Sequence, residues 1–218
     1  MKLLVIGATG SIGSAACLAA IGRGHGVTAF VRSPEKLGAM RDQMTIVVGD
    51  LTDADAVRAA VAGHDAVISA LGSSPDAAQL DVPATAMRNV LAAMEATGVR
   101  RLVGIAGAAV SVPGEQKPLR GRIASFLVRL MARNVVEAKQ REFEVVRASD
   151  LDWTMIRPPN VVDGEATGRV VIGETLRGFR ISSGDVGVAL VQLAEGNAHV
   201  RGAPYLSAGP RGESAGPR

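Results

Sequence analysis

Lys2-Leu-Leu-Val-Ile-Gly-Ala-Thr-Gly-Ser-Ile-Gly-Ser14 is the stretch whose reading decides the fold. An apolar run, Leu3 to Ile6, ends in glycines at Gly7, Gly10 and Gly13. A helical pattern rich in alanine (Ala15, Ala16, Leu18, Ala19, Ala20, Ile21) follows at once. The order reads as strand, tight turn, helix. Glycine has a distinct physical task at each place: a sharp turn, bare backbone that a pyrophosphate can approach, and close packing of helix on strand. The helix start adds unpaired N–H groups and the positive end of a dipole. Gly7, Thr9, Gly10, Ser11, Ile12 and Gly13 are therefore the expected phosphate-binding residues of a dinucleotide site.

A second strand is expected at Val27 to Val31, and the residue at its end discriminates between cofactors. An acidic side chain there binds a ribose 2′-hydroxyl, whereas an arginine accommodates a 2′-phosphate. Arg32 stands at that position, with Ser33 beside it and Lys36 one turn on. A charge-assisted hydrogen bond contributes about 1.5 to 3 kcal/mol, so the cofactor is expected to be NADP, favoured over NAD by at least about tenfold.

The bulk properties exclude several classes. At 218 residues the chain suits one sizeable domain, expected over residues 1–208, with a Gly/Pro/Arg-rich disordered tail at 209–218. A net charge of +3 describes no dense basic face, so nucleic acid is not implied. The single cysteine, Cys17, lies on a small-residue face of the first helix and reads as a packed small hydrophobe. One thiol permits no internal disulfide, in keeping with a reducing cytoplasm. The chain opens directly into a core strand, and no apolar run approaches the length of a membrane span. A soluble, cytoplasmic protein is expected.

After a loop at Ser33 to Arg41, Thr45 to Leu51 reads as a short strand ending in Gly49-Asp50, with Thr52 as the N-cap of a helix over Ala54 to Val61. Asp50 and Leu51 then lie at the carboxyl end of a parallel strand, where ligands bind. Asp50 either accepts from an adenine amino group or bonds its own turn. Ala66 to Leu71 forms a fourth strand with Gly72-Ser-Ser-Pro75 as its exit, small enough for a ribose to lie against backbone, and Ala70, Leu71 and Gly72 are cofactor-binding candidates. A helix from about Val82 to Ala96 carries Met87, Val90, Leu91 and Met94 at helical spacing and stops at Gly98. Val99 to Ala106 is the fifth strand. Strands alternating with helices predict an α/β fold, a doubly wound parallel sheet with right-handed crossovers.

The periodicity stops between Gly107 and Pro118, a loop placed as a small substrate lid. Arg120 to Asn134 reads as an amphipathic helix, either a flap over the pocket or an ordinary surface helix with a solvated arginine face. A further helix runs to Arg147. The strand Leu151 to Arg157 ends at Pro158-Pro159-Asn160-Val161, where two prolines exclude continuation of the sheet. Segments at Arg169 to Ile172, Arg180 to Ser182, Asp185 to Glu195 and Ala203 to Ser207 complete the pattern. His25, His64 and His199 lie in separate turns without ligand spacing, so no metal site is expected.

Taken together, Gly7-Ala-Thr-Gly-Ser-Ile-Gly13, Gly49-Asp50-Leu51, Lys139, Leu151-Asp-Trp-Thr-Met-Ile-Arg-Pro-Pro159 and Ile181-Ser-Ser-Gly-Asp-Val186 resemble the atypical short-chain dehydrogenase/reductase group. Within it they look most like the NAD(P)H-binding, NmrA-like family, which includes flavin and biliverdin-type reductases. The resemblance covers about residues 2 to 207. It implies a Rossmann-like domain and hydride transfer from NADPH, with Lys139 on the nicotinamide ribose and the Pro158 to Val161 turn (Pro158, Asn160, Val161) on the nicotinamide; Ala106 is a further cofactor-binding candidate. Lys139 and Asn160 are the catalytic candidates.

Typical members of the group carry a tyrosine four residues before that lysine as proton donor, and a serine at the end of the fifth strand. Here the first position is Val135, and Ile105-Ala106-Gly107-Ala108 occupies the second, with Ser111 the nearest hydroxyl. Flavin-reductase-like members place a histidine after the double proline, where this chain has Asn160. The only tyrosine, Tyr205, is in the last strand. Two functions follow as expectations. One is an NADPH-dependent reductase of a small acceptor such as a flavin or quinone, which needs no tyrosine because the acceptor stabilises its own anion. The other is a non-catalytic NADP-binding sensor that touches a protein partner.

Overall fold

Leu3 and Val5 of β1 (Lys2–Ile6) pack into one hydrophobic cluster and Leu4 and Ile6 into another. Side chains alternate along a strand, so a run that is apolar at every position needs cover on both faces. The computed structural model describes residues 1–115 and 130–209. In it β2 (Gly26–Val31), β3 (Thr45–Val48), β4 (Ala66–Ser69), β5 (Arg101–Ile105) and β6 (Asp152–Ile156) join β1 in a six-stranded parallel sheet of order β3-β2-β1-β4-β5-β6. Leu3 pairs with Val27 on one side and Ala66 on the other. The order reverses between β1 and β4, which opens a crevice outside the carboxyl ends of those strands.

The described helices are α1 (Ser11–Gly22), α2 (Ala54–Val61), α3 (Val82–Thr97), α4 (Arg133–Arg147) and α5 (Ser183–Ala194). Ala16, Cys17 and Ala20 of α1 share one core with Val186 and Leu190 of α5. Val57, Met87, Met94, Phe143 and Val146, from α2, α3 and α4, share the other. The fold is therefore Rossmann-like, a parallel sheet with helices on both faces. Small residues set the α1–α5 spacing: a Cβ on Gly187 would lie 2.6 Å from backbone atoms of Ala15 and Ala16. Buried Arg101 donates to the carbonyls of Leu193, in the last turn of α5, and of Gly196, just beyond it, which supplies partners for acceptors that a helix end otherwise leaves orphaned.

Several expected boundaries move. Ser33 to Arg41 is not a plain loop but 3₁₀ turns over Pro34–Gln43, broken at Gly38, because Pro34 pre-sets a helical start and Leu37 has a buried site to fill. The cap of α2 is Asp53, whose Oδ1 accepts from the N–H groups of Asp55 and Ala56, since Thr52 is already engaged by Asp50. β3, β4 and β5 end at Val48, Ser69 and Ile105, short of the expected Leu51, Leu71 and Ala106. The ends of these strands thereby become crevice lining.

Beyond Pro158-Pro159 the large sheet stops and a separate pair forms, β7 (Asn160–Val162) parallel to β9 (Arg180–Ser182). β8 (Val170–Gly173) pairs antiparallel with β10 (Tyr205–Ala208). Most of the expected helix at Arg120 to Asn134, the last three residues of the expected lid, and the expected tail from Pro210 onward lie outside the described residues.

Candidate functional site

The turn from β1 to α1 separates its three glycines by what each must do. Gly7 has φ 81°, and a Cβ there would lie 2.5 Å from the Ala70 carbonyl oxygen. A Cβ on Gly13 would lie 2.1 Å from the Gly7 carbonyl oxygen. Packing alone demands both. Gly10 differs: its Cβ would meet only the Gly7 oxygen, at 3.5 Å, an ordinary contact. The fold has no steric need for glycine there, so the missing side chain leaves exposed backbone for something outside the chain.

Gly10 is also the N-cap of α1, extended and without a capping side chain. Intrahelical bonding begins with Ser14 N–H to the Gly10 carbonyl at 2.8 Å. The N–H groups of Ser11, Ile12 and Gly13 thus have no partner within the helix. Bare backbone beside N–H groups that no described residue takes up, at a dipole's positive end, fits a pyrophosphate.

Arg32 is exposed at the end of β2, followed by Ser33 and Lys36 in the 3₁₀ turns. Asp50, beyond β3, accepts at Oδ1 from the N–H of Thr52 (2.8 Å) and from its hydroxyl (2.7 Å). The backbone bond, then the hydroxyl bond, then the charge of Arg32 hold this carboxyl below its ordinary range. The turn-forming alternative for Asp50 is therefore realised at one oxygen, and Arg32 is brought into electrostatic range of it. Asn89 of α3 donates to the Leu51 carbonyl at 2.7 Å and fixes the neighbouring backbone.

At the exit of β4, Ala70 N–H donates to the Ile6 carbonyl, and α4 reaches over from the side. Lys139 Nζ donates to the Leu71 carbonyl at 2.6 Å, and Asn134 donates to the Pro75 carbonyl at 2.7 Å. Lys139 Nζ also donates to Glu142 Oε2 at 2.7 Å. Glu142 is fully buried, and that burial pushes its carboxyl pKa up while the lysine charge opposes the shift. Sequence reasoning missed Glu142. Its spacing of three from Lys139 was visible, but its burial was not.

The exits of β5 and β6 are joined by Ala106 N–H to the Ile156 carbonyl and Ala108 N–H to the Pro158 carbonyl. Gly72 is exposed and Val161 half-buried against the α1–α5 core. Asn160 is exposed at the start of β7, and no described contact joins it to Lys139. The sheet thus gathers the glycine turn, Arg32, Asp50, Leu71, Ala106 and Pro158 at one end, and α4 delivers Lys139 there.

The loop after β5 is held down on two sides. Ser111 and Gln140 of α4 exchange two hydrogen bonds, and Glu115 pairs with Arg157. The Arg157 guanidinium lies 3.8 Å over the ring of Tyr205. Burial, followed by a hydrogen bond with Glu115, pushes the Tyr205 phenol up to about 12. That is opposite to what a proton-donating tyrosine needs.

A concavity of about 430 Å³ lined by Met1, His64, Asp65, Arg100 and Glu195 lies at the amino ends of the strands, away from this crevice. Among the described residues no three His, Cys, Asp or Glu side chains are grouped to hold a metal ion. No described helix is long and apolar enough to cross a membrane.

The sequence model of a family described as NAD(P)H-binding matches residues 7–196. A 2-alkyl-3-oxoalkanoate reductase from Stenotrophomonas maltophilia (strain K279a) is 43% identical over 115 residues, 47% of this chain and 32% of that protein. The chain spans about a third of the length of the curated relatives it matches. Among solved structures, one from Streptococcus pneumoniae TIGR4, named as a candidate NADH-flavin reductase, is 26% identical. The match covers 95% of this chain and 99% of that one, with a TM-score of 0.74. ChuY, an anaerobillin reductase from Escherichia coli O157:H7, is 22% identical, with 99% and 100% covered and a TM-score of 0.76, a likeness in fold.

Proposed function

Because the chain belongs to the NAD(P)H-binding family, we propose that it is an NADPH-dependent oxidoreductase that reduces a small acceptor, such as a flavin or quinone, without the usual catalytic tyrosine. The observation that carries this reading is Gly10, a glycine that internal packing does not require, set beside the first N–H groups of α1. Likeness to a candidate NADH-flavin reductase over nearly the whole chain supports the acceptor class. Bound NADPH would supply the hydride.

The chain's own residues then bind and orient. Gly7, Thr9, Gly10, Ser11, Ile12 and Gly13 hold the pyrophosphate, and Arg32, Ser33 and Lys36 take the 2′-phosphate. Asp50 and Leu51 border the adenine, while Ala70, Leu71 and Gly72 border a ribose. Lys139 meets the nicotinamide ribose; Ala106, Pro158, Asn160 and Val161 enclose the nicotinamide. Val135 and Ala106 stand where a phenol and a serine would donate protons, so the acceptor must stabilise its own anion and take its proton from solvent. An apolar wall over Ala108 to Val112 and Val161 suits a planar acceptor. The buried single thiol and the use of reduced nicotinamide suit the cytoplasm.

The same absence of a phenol favours a second reading, an NADP-binding sensor with a protein partner. Mixing purified protein with NADPH and a panel of flavins and quinones separates the two. Loss of reduced-nicotinamide absorbance that is abolished in Lys139→Ala supports the reductase. Tight NADPH binding with no turnover on any acceptor supports the sensor.

A further inference from the structure

Glu142 occupies the face of α4 that also carries Ala138, Phe143 and Val146, and its side chain is removed from solvent. Oε2 accepts from Lys139 Nζ at 2.7 Å, while Oε1 has no hydrogen-bond partner among the described residues. A carboxylate so placed is costly, because burial strips its hydration and only one of its two oxygens is compensated. An apolar side chain of similar volume would pack there at less cost, so packing does not account for the acid.

Its effect on Lys139 does. A lysine ammonium is a point charge on a flexible four-carbon stem. Here two of its three N–H bonds are spent, one on Glu142 and one on the Leu71 carbonyl at the exit of β4. The stem is pinned between a helix and a strand end that are 68 residues apart in sequence. Among the described residues no partner takes the third N–H.

We propose that Glu142 is a positioning residue: acting through Lys139, it fixes the ammonium beside Leu71 so that its remaining N–H meets a hydroxyl of the nicotinamide ribose. This rests on the role given to Lys139 above. A purely structural ion pair would stabilise α4 without regard to which half of a dinucleotide is present, and that difference makes the assignment testable.

The experiment is a titration of the full chain and its variants with two probes. NADPH carries the nicotinamide ribose; 2′,5′-ADP keeps the adenine and 2′-phosphate and lacks it. Glu142→Gln preserves volume and removes the charge. It is expected to weaken NADPH about tenfold, the size of one charge-assisted hydrogen bond, and to leave 2′,5′-ADP unchanged. Lys139→Ala is expected to weaken NADPH to a similar degree, and the double variant to be no weaker than Lys139→Ala. Glu142→Asp, which keeps the charge but withdraws it, is expected to lose part of the NADPH affinity, and it carries the same comparison if Glu142→Gln does not fold.

Wild-type affinity for NADPH in the Glu142 variants overturns the proposal while leaving the cofactor reading intact. So does an equal loss for both probes, or losses from Glu142 and Lys139 that multiply. Failure of the wild-type chain to bind NADPH overturns the cofactor reading and this inference together.

Discussion

The guanidinium of Arg157 holds both carboxylate oxygens of Glu115, Nη1 to Oε2 at 2.8 Å and Nη2 to Oε1 at 3.0 Å. The pair ties the loop after β5 to the end of β6, and both side chains are largely shielded from water. Removing one partner of a buried pair costs about 3 to 5 kcal/mol, because the survivor's charge loses its counter-ion while still shielded from water. Arg157→Met is therefore expected to lower the unfolding free energy by that order in a denaturant titration. A loss under about 1 kcal/mol, typical of exposed pairs, would show that solvent reaches Glu115 freely.

Tyr205 packs beneath the same guanidinium, and as the chain's only tyrosine it can be titrated without interference. Its phenol is pushed up to about 12 by burial and by Glu115, against an unfolded value of about 10. A raised folded pKa means that the contribution to stability is full below about pH 10 and is lost as pH rises toward 12. Phenolate absorbance of the folded protein is expected to appear only near the upper value. Ionisation near pH 10 without unfolding would contradict the burial.

The three glycines of the β1–α1 turn should respond differently to alanine. Gly13→Ala drives a Cβ into the Gly7 carbonyl, and Gly7→Ala forces a positive φ as well as a clash with Ala70. Each is expected to destabilise by about 1 to 3 kcal/mol. Gly10→Ala is expected to stay within about 0.5 kcal/mol of wild type in stability and still weaken NADPH. Thermal melts and a fluorescence titration read the two effects separately. Unaltered NADPH affinity in Gly10→Ala would remove the pyrophosphate from this turn.

Arg32 supplies the charge expected to choose NADP. Arg32→Ala should weaken NADPH at least about tenfold more than NADH, measured as the ratio of dissociation constants. Equal weakening of both would take the 2′-phosphate away from Arg32.

Cys17 offers a reading of the core. Its thiol is fully buried and pushed up to about 12 by that burial. A thiol reagent at about pH 8 is expected to leave the folded chain unlabelled, since the thiolate is the reactive form, and to label one site after denaturation. Equal labelling rates in both states would mean that the α1–α5 core opens readily.

The sheet, its helices and the glycine turn were legible from residues 2 to 32 and the alternation beyond, because each depends on neighbours. Turn glycines, the two-residue strand period and the helical period act within a few positions. The misread places turn on which partner a residue finds. Thr52 and Asp53 are both good caps, and only the competing bond from Thr52 to Asp50 makes Asp53 the one used. Pro34 begins 3₁₀ turns rather than a loop because Leu37 finds a buried site.

The sequence by itself thus determined a doubly wound parallel sheet and a glycine turn at its first crossover. Tertiary structure alone decided which of the three glycines packing leaves unexplained, that Glu142 is a buried acid on Lys139, and that Glu115, Arg157 and Tyr205 form one group. The physical reason is distance along the chain. Lys139 meets Leu71 across 68 residues and Arg157 meets Glu115 across 42, separations that no local periodicity encodes. Burial, which makes Glu142 costly and Tyr205 a poor acid, exists only once those distant segments have closed around them.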